Sequence, residues 1–187
     1  MLVGDQTVAE SQAALTALRQ SKGDLRPAFE QFLSELQAVR KQADRMEKES
    51  QAVHDQSQLY LAARQNDVST INNDEMRQAA VQRTAHVKEK CDDIKDRYAA
   101  VNASFARYIR SLSDLQTYLA NELNYGALDS GQKWIDQALS SGEMLRGNIR
   151  DLSREIELTS NLLSPVPIAA TQWQTTLQQP DALAEQR

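Results

Sequence analysis

Six glycines, four prolines and three phenylalanines among 187 residues leave this chain short of the residue types that turn and fill a sheet protein. No strand pattern competes with helix anywhere along it. A lone cysteine, Cys91, excludes an internal disulfide and leaves the redox compartment unread. No apolar run approaches the roughly 20 residues of a membrane span, and the first residues, MLVGDQTVAESQ, do not read as a signal peptide, so the chain as written is expected to be soluble. Charge of one sign is also missing. The net charge of −5 comes from 26 acids and 21 bases that are interspersed, with seven acids against six bases between Asp24 and Asn66 and eight against eight between Asp74 and Glu122. Nucleic acid and anionic membranes call for a basic stripe, so neither is an expected partner.

What is present is a heptad pattern. After the Gly23-Asp24 break, Leu25, Phe29, Phe32, Leu36, Val39, Ala43, Met46, Ser50 and Val53 follow at alternating steps of four and three. That spacing makes a seam which other helices must cover. Asp24 is the expected N-cap and Pro27 falls in the first turn, where its missing N–H costs little. Before the break, Val8, Ser11, Leu15 and Leu18 mark a shorter helix that ends at Gly23. The second helix is expected to fade within RQNDVSTINN, with Asn72 capping the next through the capping-box spacing to Glu75. The third seam runs Ala80, Thr84, Val87, Cys91, Ile94, Tyr98, Val101, Phe105, Tyr108, Leu112, Leu115 and Leu119. Asn124 and Gly126 suit a helix end and turn, with Asp129 or Ser130 as a fresh cap. A fourth seam then carries Ile135, Ala138, Gly142, Leu145, Ile149, Leu152, Ile156, Thr159 and Leu163, and stops at SPVP.

These patterns predict an all-α fold: an elongated antiparallel bundle of three long coiled-coil helices plus a shorter N-terminal helix. Short connections make neighbours antiparallel, and long helices of roughly 40 to 50 residues make a rod about 60 to 75 Å long. Residues 1–163 form the bundle, and residues 164–187 a Pro/Gln-rich extended or disordered tail on which Trp173 could still dock.

The chain is poor in groups that carry chemistry. Its two histidines, His54 and His86, lack the neighbouring ligands of a helical metal site and read as solvated flank residues. There is no Gly-rich phosphate loop and no nucleophile elbow. Asp92, Asp93 and Asp96 alternate with Lys88, Lys90, Lys95 and Arg97 as a lattice of surface ion pairs, and Arg107 and Arg110 beside Tyr108 read as a snorkelling pair. Cys91 falls on the third seam, where a buried thiol behaves as a small hydrophobe. The polar or small seam residues Ser50, Thr84, Gly142 and Thr159 are expected to fix register, and Tyr98 and Tyr108 to place their hydroxyls at the seam's edge. No catalytic, cofactor or metal residue is assigned.

Four stretches carry a resemblance: MLVGDQTVAESQ near the start, KGDLRPAFEQF opening the second helix, INNDEMRQAAVQR opening the third and LQTYLANELNYGAL at the turn after it. Their order resembles a bacterial family of unknown function, made of small coiled-coil helical proteins whose full-length members usually begin with an export signal and a lipid-attachment cysteine. The likeness extends to Leu163. It implies a periplasmic or envelope-associated setting, with a cytoplasmic one as the alternative, and an N-terminal lipid anchor lost from this chain. It brings no catalytic residues.

The expected function is a non-enzymatic structural or protein-interaction module with a protein partner or a second copy. Leu15, Leu18, Phe32 and Leu33 are its expected interaction surface, because the N-terminal helix is short, marginal alone and must either dock on the bundle as a fourth member over part of its length or pair with another chain. One alternative is a membrane-associating or membrane-remodelling helical protein, disfavoured because no helix pairs a basic with an aromatic face. Another is a metal- or ligand-binding bundle, disfavoured by the absence of Glu-x-x-His pairs.

Overall fold

The computed structural model describes residues 3–163, with side chains through Asn161. Leu163 as a seam side chain, the tail 164–187 and Trp173 lie outside the described residues. The fold is all-α, with five helices among the described residues: α1 (Val3–Gln20), α2 (Arg26–Ser69), α3 (Asp74–Asn121), α4 (Tyr125–Ser130) and α5 (Gln132–Leu163). At 1.5 Å per residue, α2 and α3 are about 66 and 72 Å long and α5 about 48 Å. The fourth heptad seam therefore belongs to a helix of 32 residues, below the length expected for it.

Helix ends follow local chemistry, with small shifts from expectation. Asp24 does serve a free amide, accepting from Arg26 N at 3.1 Å, but it lies one residue outside the cap, and Leu25 is the N-cap. Gly23 takes the left-handed φ of 95° that turns α1 into α2, and the Tyr125 hydroxyl bonds both its N–H and its carbonyl. Asn73, not Asn72, caps α3: its side chain accepts from Met76 N at 2.9 Å. Asn124, expected to close α3, instead opens the short α4 by accepting from Ala127 N, and α5 starts after Gly131 without an Asp129 or Ser130 cap.

The seams pack as a bundle. Antiparallel register is fixed by cross-helix pairs whose numbers run in opposite directions. Between α3 and α5 these are Ser104 with Asn148 and Lys90 with Glu155. Between α1 and α5 they are Asp5 with Arg146, Gln12 with Leu139 O and Arg19 with Asp136. Helix α1 packs on both α2 and α5, so one end of the molecule is a four-helix section. Its core holds Val8, Leu15, Leu18, Phe32, Leu36, Phe105, Leu112, Ile135 and Leu145.

Within that core the strip of α1 that faces inward also carries Asp5, Ser11 and Gln12, all buried. Each has a partner, as buried polar groups must. Tyr108, expected at the seam's edge, is wholly buried. Ser11 gives its one proton to Val8 O at 2.8 Å, so the Tyr108 hydroxyl donates to Ser11 Oγ, also at 2.8 Å.

Burial pushes the Tyr108 phenol up to about 12, Ser11 opposes this slightly, and the nearby Glu143 charge adds to it. Tyr98 is raised in the same direction, first by burial and then by Glu49. A folded-state value above the unfolded value near 10 means that the native state holds its proton more tightly. The stabilisation is then complete below pH 10 and is lost as pH climbs towards 12. Urea unfolding at pH 9.5 and 11.5 should show the wild type losing about 1.5–2 kcal/mol more than Tyr108→Phe across that interval. Equal losses in the two proteins would mean that Tyr108 ionises without hindrance from the fold.

Candidate functional site

The bundle thins along its length. Helix α1 spans only the first section, and Glu155, which reaches both Lys90 and Arg97, puts the end of α5 roughly beside Ala85 of α3. Beyond it, among the described residues, α2 from about Gln58 and the start of α3 continue as a two-helix arm for about 18 Å. An arm of two helices buries only a narrow stripe. Leu61 is buried there, whereas Leu59 is 68%, Met76 65%, Val81 52% and Tyr60 41% exposed. A groove of about 570 Å³ runs along the arm between Leu61 and Val68 of α2 and Val81, Thr84 and Ala85 of α3. The buried Nε of Arg64 finds no hydrogen-bond acceptor among the described residues, which costs about 1–3 kcal/mol when left unrelieved.

The root of the arm is held by charge. Lys88 bonds Asp92 at 2.6 Å, which raises the ammonium and lowers the carboxyl from their ordinary values. Lys90 bonds Asp93 at 3.0 Å and Glu155 at 3.2 Å, and is raised by those bonds. Arg97 adds a second contact to Glu155 at 3.6 Å. The ion-pair lattice read from the sequence is therefore present, and it also ties α3 to α5 just where α5 ends.

Leu15, Leu18 and Phe32 stand elsewhere, fully buried at the four-helix end, with Leu33 half-buried against the same core. The apolar patch expected to lie open is covered within one chain, because α1 docks along α2 and α5 as the fourth member. The α2–α3 arm at the opposite end also leaves apolar side chains open. Cys91 is half-buried, short of the full burial that its seam position suggested, in a small crevice with Val53, His54, Ser57 and Tyr98. His86 sits on the surface beside Glu89 at 3.5 Å.

Among the described residues no three His, Cys, Asp or Glu side chains are grouped to hold a metal ion, and no helix is long and apolar enough to cross a membrane. No curated protein and no solved structure matches the chain. A family model does match, over residues 6–162, which takes in every long helix and the whole of the arm. The chain belongs to the family described as Protein of unknown function (DUF2959).

Proposed function

We propose that the protein is a non-enzymatic interaction module of the bacterial cell envelope, a helical rod anchored in its own four-helix end and presenting the α2–α3 arm to a protein partner. The observation that carries this reading is the set of open apolar side chains Leu59, Tyr60, Met76 and Val81 on a section where, among the described residues, only α2 and α3 run. Elsewhere α1 and α5 cover α2 and α3, and among the described residues no third helix lies on the arm, which leaves room for a partner helix. The envelope setting, on the periplasmic side, rests on the resemblance of the quoted stretches to exported, lipid-anchored relatives.

A photo-reactive residue at Val81, compared with one at Glu30 on the exposed face of the four-helix section, tests the arm in cells. The expected result is a discrete cross-linked species of defined mass from position 81, weakened by Met76→Asp, with none from position 30. If cross-linking is equal at both positions or absent from both, the arm is not the working surface.

A further inference from the structure

A second feature lies at the other end of the molecule, where α3 and α5 flank a cavity of about 280 Å³. Leu115, buried, forms its floor, and Tyr118 and Trp134 form one wall with ring centroids 5.3 Å apart in an edge-to-face pair. Trp134 remains 49% exposed although a core lies directly beneath it. Tyr118 is held in place because its hydroxyl donates to Ala127 O at 3.2 Å. Gly131 leaves room for the ring, since a Cβ there would lie 3.3 Å from the Tyr118 ring edge. The rim is polar and acidic. Asp114, Gln137 and Ser111 line it, and Asp114 has no ion pair or hydrogen bond among the described residues. The nearest cation along α3, Arg110, stands one turn away at the i,i+4 spacing and is not bonded to it.

An open aromatic wall attracts positive charge through its ring quadrupoles, and a carboxylate with no cation of its own does so by Coulomb's law. An apolar floor accepts a methylene stem. We propose that this cavity binds an organic cation, an ammonium or guanidinium on a short alkyl stem, with Trp134 and Tyr118 against the stem and cationic head and Asp114 as the counter-charge. The volume is near the small end of ligand pockets and suits such a group. The cation's source is either a free amine or a Lys or Arg side chain of a protein. This site is remote from the arm, so the proposal does not depend on the interaction reading above.

The test uses the full chain with Trp173→Phe, which leaves Trp134 as its one indole. Its emission is followed during titration with n-butylammonium and n-butylguanidinium at ionic strength matched by sodium chloride, with n-butanol as the neutral control. A saturable change with the cations and none with n-butanol is expected. Asp114→Asn should weaken binding about tenfold or more, while leaving the melting temperature unchanged because Asp114 is exposed, and Asp114→Glu should recover part of it. A lysine–glycine hexapeptide that binds more tightly than n-butylammonium assigns the source to a protein side chain, and the reverse order assigns it to a free amine; both support the site. Absence of a saturable change, an equal response to n-butanol, or unaltered binding in Asp114→Asn would overturn it.

Discussion

Phe105→Ala is expected to lower the unfolding free energy by about 3–5 kcal/mol, the range for emptying an aromatic site in a packed core. Phe105 lies at the middle of the third seam, buried among α1, α2, α3 and α5, and the long helices on every side limit how far the cavity can collapse. A domain of this kind has only about 5–15 kcal/mol in total, so this one side chain governs a large share of it. Val81→Ala, on the arm, should change stability by less than about 0.5 kcal/mol, since half of Val81 is already in water. Equilibrium denaturation of the two variants reads the contrast directly. A Phe105→Ala cost below 1 kcal/mol would show that the four-helix end is not where the fold is held. The same gradient should appear in amide exchange, with the arm opening at lower free energy than the section that contains α1.

The long-helix architecture was legible because seam periodicity survives in the residues themselves. On the third seam every position from Ile94 to Leu119 is buried, and only Ala80, Thr84 and Cys91, towards the arm, are half-buried. The reason for that difference is not in the third seam at all. For Ala80 and Thr84 it lies in α5, whose 32 residues fall short of the 48 of α3, so among the described residues that part of the seam has one neighbouring helix where the near part has two or three. A periodic pattern states which face is apolar. It does not state how many helices cover that face at each level.

The same limit applies to the inward polar groups. Asp5 and Gln12 lie on the apolar strip of α1, but a carboxylate and an amide carry no periodic signal of burial, and their partners Arg146 and Leu139 O are more than a hundred residues away. The placement of Leu15, Leu18 and Phe32 turned on the same unknown. Their apolar character required a cover, and α5 of the same chain supplies it. The cavity bounded by Asp114, Tyr118 and Trp134 could not be read either, because its residues flank two seams that meet only in the folded bundle.

Gly142→Leu is expected to cost about 3 kcal/mol, from overpacking together with the loss of a buried hydrogen bond. Gly142 was legible as a gap in the fourth seam, and Gln12 fills that gap. A Cβ at residue 142 would lie 2.8 Å from Gln12 Nε2, 3.0 Å from its Cδ and 3.1 Å from its Cγ, so the tip must shift and the stem give by a few tenths of an ångström, and the rest of a leucine side chain drives Gln12 out. Leaving breaks the 2.9 Å bond from Nε2 to Leu139 O, and Gln12 is buried with no water to replace it. The bond and the gap together set the register of α1 on α5. Intrinsic helix propensity works the other way, favouring Ala over Gly by about 1 kcal/mol in a helix interior. The two effects separate in a double-mutant cycle. In the wild-type background Gly142→Ala should destabilise, because the clash and the lost bond outweigh propensity. In a Gln12→Ala background the clash is gone, and Gly142→Ala should stabilise by about 1 kcal/mol. A change of the same sign and size in both backgrounds would show that Gly142 does not hold α1 through Gln12, and the docking of α1 would then rest on its apolar strip alone.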